Sequence, residues 1–98
     1  MKQKKGYTKL NSGIIIQWGV IENVTTYDGY RYNFTFAESF PNACFSVVAS
    51  IETEGSNDGV AACYVTGISR NGALIAMDAS TAKGNVRKAS VHYIAIGY

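Results

Sequence analysis

The chain has 98 residues, a length that suffices for one domain with one small hydrophobic core. Charged residues make up 16 % of the chain, and the net charge is +2. The positive charge lies mainly at the amino end, in Lys2, Lys4, Lys5 and Lys9, which argues against a nucleic-acid-binding face. No apolar run is long enough for a membrane helix and no cleavage site follows the first lysines, so we expect one soluble, unprocessed domain over residues 1–98, with residues 1–6 as a flexible lead-in.

Short apolar runs separated by clusters of Gly, Asn, Asp and Ser predict an all-β domain with antiparallel strands. The six predicted strands span residues 14–20, 30–36, 44–51, 60–68, 73–77 and 90–97. Between the fourth and fifth strands, Asn71-Gly72 predicts a two-residue type I′ turn, in which both residues have a positive φ. Cys44 and Cys63 each lie inside a strand, so we expect two buried thiols, with a bridge between adjacent strands as the alternative.

The first and last predicted strands are apolar on both faces. In the first strand, Ile14, Ile16, Trp18 and Val20 share one face, and Ile15, Gln17, Gly19 and Ile21 share the other; in the last, Tyr93 and Ala95 oppose His92, Ile94 and Ile96. An antiparallel sheet normally exposes one face to water, so the second apolar face needs a cover. Scattered surface hydrophobes are one interpretation, and self-association in an obligate oligomer is the one we favour. The residues expected at the subunit interface are Ile15, Gln17, Ile21, His92 and Ile94.

The three longest and most polar connections are predicted to lie at one end of the domain. They are IENVTTYDG, ETEGSNDG and DASTAKGNVRK, which follow the first, third and fifth strands. If consecutive strands are antiparallel, all three leave from the end away from the amino terminus. Binding residues concentrate in long loops on a rigid sheet, so this end is the expected binding end.

Three blocks of sequence carry a family signature: GYTKLNSGIIIQWG near the start, FAESFPNACFSVVAS in the middle and HYIAIGY at the carboxyl end. They resemble, in the same order, the GYxKLxxGxIIQWG, F-PNAC and WIAIGY motifs of the carboxyl-terminal tip domain of bacteriophage tail fibres. Tyr93 stands where the family more often has Trp, and His92 where an aromatic residue is common. The resemblance implies a homotrimeric β-sandwich, here with six antiparallel strands, that is joined to the rest of a fibre and binds a bacterial receptor.

That receptor is commonly lipopolysaccharide or capsule sugar in the family, and sometimes an outer-membrane protein. A looser resemblance to the trimeric H-type lectins favours a sugar. The three polar loops hold the aromatic, amide and charged side chains that suit a sugar ring and its hydroxyls, and Arg87 and Lys88 also suit an acidic group. The candidate receptor-binding residues are Tyr27, Asp28, Tyr30, Asn57, Asp58, Asp78, Lys83, Asn85, Arg87 and Lys88.

Catalysis is not expected from this sequence. His92 is the single histidine, and nothing places a nucleophile and a carboxylate beside it. A glycosidase needs two carboxylates in a cleft, and a domain of 98 residues has few residues to form such a cleft around the carboxylates of the binding end. These carboxylates are Glu22, Asp28, Glu52, Glu54, Asp58 and Asp78. No metal-ligand spacing occurs, and we expect no metal and no cofactor.

The sequence therefore predicts a non-enzymatic, receptor-binding tip of a phage or prophage tail fibre, or of a phage-tail-like bacteriocin. It would be located in the virion and assembled in the cytoplasm of the bacterial host. The expected partners are two further copies of the chain, the rest of the fibre and a bacterial surface glycan or outer-membrane receptor, with no nucleic acid and no membrane insertion. The alternatives are a trimerisation or folding clamp without receptor contact, and a free-standing sugar-binding lectin.

Overall fold

The computed structural model describes residues 5–25, 29–53, 61–79 and 88–98. Their strands are β1 (Lys5–Lys9), β2 (Ile15–Thr25), β3 (Arg31–Thr35), β4 (Cys44–Thr53), β5 (Ala61–Thr66), β6 (Gly72–Ala79) and β7 (Lys88–Gly97). All paired strands are antiparallel, in a larger sheet of order β1-β2-β7-β4 and a smaller sheet of order β3-β6-β5. The predicted all-β, antiparallel β-sandwich is confirmed. No helix that could span a membrane occurs in this part of the chain.

The core lies between the two sheets and is rich in aromatic rings. Phe34 on β3 and Phe36, one residue beyond the end of β3, point into the core, and Phe40 is fully buried. The rings of Phe34 and Tyr93 lie 4.6 Å apart between centroids, and those of Phe36 and Phe40 meet edge to face at 5.3 Å. A Cβ at Gly19 would overlap the ring of Tyr93, so glycine at this position lets the tyrosine pack across β2.

The two faces of β2 are the reverse of the predicted assignment. Ile15 and Gln17, expected at a subunit interface, point into the core and are 5 % and 0 % exposed, and Ile21 packs against the core as well. Gln17 tolerates this position because both polar atoms of its amide have a partner: Nε2 donates to the carbonyl of Glu38, and Oε1 accepts the N–H of Glu38 at 3.0 Å. The interface prediction is therefore wrong for Ile15 and Gln17, and for the partly buried Ile21 it stays a prediction.

The strand β1 is absent from the predicted set because KGYTK shows no apolar alternation. It pairs with β2 as an edge strand, with Lys5 opposite Gly19 and Lys9 opposite Ile15. Lys5 and Gly6 thus belong to a strand rather than to a flexible lead-in, and residues 1–4 lie outside the described residues. A Cβ at Gly6 would lie 2.8 Å from Cζ2 of Trp18, so the missing side chain lets that indole ring lie across β1.

The hairpin that joins β5 to β6 forms where the sequence predicts it, but with a different turn. Neither Asn71 nor Gly72 has a positive φ; Gly67 has one, at 60°. The Oγ of Ser69 accepts the N–H groups of Asn71 and Gly72, which closes the connection. Gly72 is required for another reason, since a Cβ there would overlap the carbonyl oxygen of Phe34 on the neighbouring strand β3.

Cys44 on β4 and Cys63 on β5 are free thiols, so the alternative of a disulfide between them is wrong. Both side chains are half-buried. Burial raises the pKa of each thiol above its ordinary value. A raised pKa lowers the thiolate fraction, so both residues act as packing groups rather than as nucleophiles.

Candidate functional site

The strand ends that border the three polar loops lie together at one end of the sandwich, called here the loop end. The paired residues at this end are Thr25 with Lys88 and Thr53 with Ala89 in the larger sheet, and Ala61 with Ala79 in the smaller sheet. The N–H of Gly29 donates to the carbonyl of Met77 at 3.0 Å, which ties the β2–β3 connection to β6. The register therefore confirms that the three loops leave from a common end.

Two of the predicted receptor-binding side chains can be placed at the loop end. The carbonyl of Tyr30, directly before β3, accepts the N–H of Met77 at 2.8 Å, so Tyr30 lies beside the end of β6 that carries Asp78. Asp78 is exposed, whereas Tyr30 packs partly against the core. Lys88 begins β7 at the same end. The remaining predicted residues lie outside the described residues: Tyr27, Asp28, Asn57, Asp58, Lys83, Asn85 and Arg87.

A second candidate surface covers the solvent side of the larger sheet. This outer apolar face consists of Ile16, Trp18, Val20, Val48, Ile94 and Ile96. In its central row, Trp18 on β2 lies opposite Ile94 on β7, which lies opposite Val48 on β4. These three side chains are 40 %, 52 % and 66 % exposed. A continuous apolar surface across three strands is typical of an interaction site. The second apolar face that the sequence predicts for the first and last strands therefore lies on the solvent side of the larger sheet.

His92 borders the outer apolar face. It is exposed, as is Ile94, and the expected subunit interface at these two residues stays a prediction. The sequence does not predict its partner: Nε2 of His92 lies 2.7 Å from Oε1 of Glu52 on the neighbouring strand β4. Within the described ranges, no group of three His, Cys, Asp or Glu side chains is placed to hold a metal ion.

The chain is similar to tail-fibre proteins over nearly its whole length. A family model described as "Putative tail fiber protein gp53-like, C-terminal" matches residues 9–98. The sequence is 36 % identical over 104 residues to "Uncharacterized protein MJ0347" of Methanocaldococcus jannaschii, with all of this chain and 66 % of that protein covered.

Solved structures of pyocin fibres share the fold. The C-terminal part of the R1 pyocin fibre of P. aeruginosa has a TM-score of 0.82 and 25 % identity, with 100 % of this chain and 27 % of that chain covered. An N-truncated R1-type pyocin tail fibre gives a TM-score of 0.75 at 21 % identity, with 96 % and 85 % covered. The R2 pyocin fibre of P. aeruginosa gives 0.77 at 22 % identity, with 98 % and 24 % covered. The chain thus spans less than two thirds of the curated relative, and about a quarter of two of these fibre chains.

Proposed function

Because the chain belongs to the family of gp53-like tail-fibre C-terminal domains, we propose that it is the receptor-binding tip of a phage or bacteriocin tail fibre. In this proposal three copies form the tip and bind a carbohydrate of the bacterial surface without catalysis. The observation that carries it is the common end of the three polar loops, because a fibre tip must present its binding groups on one side. The pyocin fibres that share the fold support a place at the carboxyl end of a fibre.

The outer apolar face supports assembly into a trimer. A single copy leaves Trp18, Ile94 and Val48 exposed to water in adjacent positions, by 40 % to 66 % of their surface. Burial of apolar surface is the main favourable contribution to association, and obligate oligomers use such faces. Three copies joined through their larger sheets would turn all three loop ends in the same direction. Weak sites that act together gain effective concentration, which suits a shallow sugar site.

Adsorption to cells tests the proposed role of the loops. The test variant changes Asp28, Asp58 and Arg87 together to alanine, and the matched control changes Lys9 and Glu38, which are exposed and lie away from the loop end. Each purified protein is first checked for its mass by light scattering, then applied to bacterial strains of defined O-antigen and capsule type. We expect binding of the wild type and the control to one or more strains and loss of binding by the triple variant. Equal binding by the folded triple variant would contradict the proposal.

A trimerisation or folding clamp is the second candidate, and the outer apolar face is the observation that favours it. A clamp needs the apolar contact but not the loops. Replacing the three loops with short Gly-Ser connections therefore distinguishes the two functions. A clamp with replaced loops still forms trimers and leaves adsorption of the whole fibre unchanged, whereas a receptor-binding tip forms trimers and loses adsorption. A free-standing lectin would bind the same sugars without any fibre attached.

A further inference from the structure

An open cleft of about 360 Å³ lies along one edge of the sandwich and meets the outer apolar face at Val20, which lines both. It lies where β1 and β2 of the larger sheet meet β3, the edge strand of the smaller sheet. Its volume falls within the range of small-molecule binding sites. None of the residues predicted to bind the receptor is among the residues that line this edge cleft, so it is separate from the proposed loop site.

The main chain of β3 faces the edge cleft. The carbonyl of Tyr30 accepts the N–H of Met77 on β6, and the N–H of Phe36 donates to the carbonyl of Asn71, directly before β6. In an antiparallel pair the main-chain groups of successive residues alternate in direction along the strand. The N–H and C=O groups of Asn33 and Thr35 therefore point away from β6, towards the cleft. The structure confirms this direction at Thr35, whose carbonyl accepts a hydrogen bond from Nζ of Lys5 at 3.4 Å. An edge strand in this position offers both donors and acceptors to a ligand.

Tyr32 and Lys5 give the edge cleft an aromatic wall and a positive charge. Tyr32 has the same parity on β3 as the buried Phe34, yet it is 41 % exposed and lines the cleft. Lys5 lies at the matching edge of the larger sheet, opposite Gly19. It is the charged side chain among the described residues that line the cleft. An ammonium group in a cleft without a lining carboxylate from those residues favours an anionic ligand.

We infer that the edge cleft binds one acidic sugar unit, bearing a carboxylate or phosphate group, of the surface polysaccharide that the proposed tip recognises. The inference rests on the proposed function and adds a lateral subsite to the loop end. The ammonium of Lys5 pairs with the anionic group, with the Thr35 carbonyl holding the lysine in place. The ring of Tyr32 packs against the apolar face of the sugar. The side chain of Asn33 and the outward main-chain groups of β3 bond to the sugar hydroxyls.

Two substitutions with matched controls test the edge cleft. Lys5→Gln removes the charge, and its control Lys9→Gln changes an exposed lysine of the same strand that does not line the cleft. Tyr32→Ser removes the ring, and its control Tyr64→Ser changes a tyrosine that is 51 % exposed on β5, the far strand of the same sheet. The probes are an array of purified lipopolysaccharide and capsular oligosaccharides, and those of them that bind are then titrated by calorimetry.

We expect the wild type and both controls to bind acidic oligosaccharides. Lys5→Gln should bind them at least about tenfold more weakly, the effect of one hydrogen bond to a charged group. Tyr32→Ser should also bind them more weakly, because the ring no longer covers the apolar face of the sugar. Wild-type binding should weaken with added salt, whereas Lys5→Gln should lose most of this dependence and Lys5→Arg should retain it. Binding of neutral sugars alone, no binding on the array, or unchanged binding by both folded cleft variants would overturn the inference. A change of mass by light scattering in Lys5→Gln would also overturn it, because the cleft would then be a subunit contact.

Whole-cell binding separates failure of this inference from failure of the proposed function. If the wild type and both cleft variants bind the same strains equally, the edge cleft is not a subsite and the receptor-binding tip stands. If the wild type binds no strain, the proposed function fails. If the cleft variants lose cell binding while the Asp28, Asp58 and Arg87 variant keeps it, the cleft is the receptor site and the loop end is not.

Discussion

The substitution Ile94→Asp should prevent assembly of the proposed trimer. Ile94 lies between Trp18 and Val48 in the central row of the outer apolar face and is 52 % exposed in a single copy. Full burial of an isoleucine contributes about 1.5–3 kcal/mol, so the half that remains open contributes about 1 kcal/mol per subunit, or roughly 3 kcal/mol per trimer. A buried, unpaired carboxylate adds a penalty of several kcal/mol for each copy. The dissociation constant of the trimer should therefore rise by more than about a hundredfold.

Size-exclusion chromatography with light scattering, over a dilution series, measures this effect. Ile68→Asp is the matched control, because Ile68 is 41 % exposed but lies in the connection between β5 and β6, outside the outer apolar face. We expect trimers from the wild type and from Ile68→Asp, and monomers from Ile94→Asp with an unchanged circular dichroism spectrum. Trimers of Ile94→Asp at the same concentrations would refute the assignment of this face. A wild type that remains monomeric and well folded would refute the trimer itself.

Two further predictions concern the core. Gln17→Met keeps the side-chain volume but removes both hydrogen bonds to Glu38. We expect the free energy of unfolding to fall by about 2 kcal/mol, which lowers Tm by on the order of 10 °C at equal protein concentration. An unchanged Tm would show that water replaces the two hydrogen bonds. Burial raises the pKa of Tyr93, so the folded state favours the neutral phenol, and the free energy of unfolding should fall as pH rises above about 10. Tyr93→Phe should reduce that fall between about pH 8 and about pH 11 in urea titrations, and an identical fall would contradict the burial effect.

The strands and their direction follow from the sequence because apolar runs and turn residues are local signals. All six predicted strands have a counterpart in the structure, and the common end of the polar loops followed from their order alone. The strand β1 could not be predicted in this way. Its residues KGYTK pair on one side with β2 and bury little apolar surface, so the pattern that identifies a strand is missing.

The sequence predicts the wrong face of β2 to point outwards, because the contacts that decide its orientation are not local. Three successive isoleucines are compatible with either parity, and the expected interface placed Ile15, Gln17 and Ile21 on the outer face. The structure places Gln17 inside because the main chain of Glu38 satisfies its amide, and places Gly19 inside because Tyr93 occupies the space. Both causes are contacts between residues distant in the chain. The edge cleft has the same origin, since Lys5 and Tyr32 approach each other only when the two sheets pack.

The position of β7 between β2 and β4 links the order of synthesis to assembly. Because β7 is the last of the described strands, a nascent chain on the ribosome has β2 and β4 but lacks the strand that joins them. The row from Trp18 through Ile94 to Val48 therefore exists only after residues 88–97 have emerged. Until then the facing edges of β2 and β4 lack the strand that pairs with both, and unpaired strand edges favour aggregation during translation.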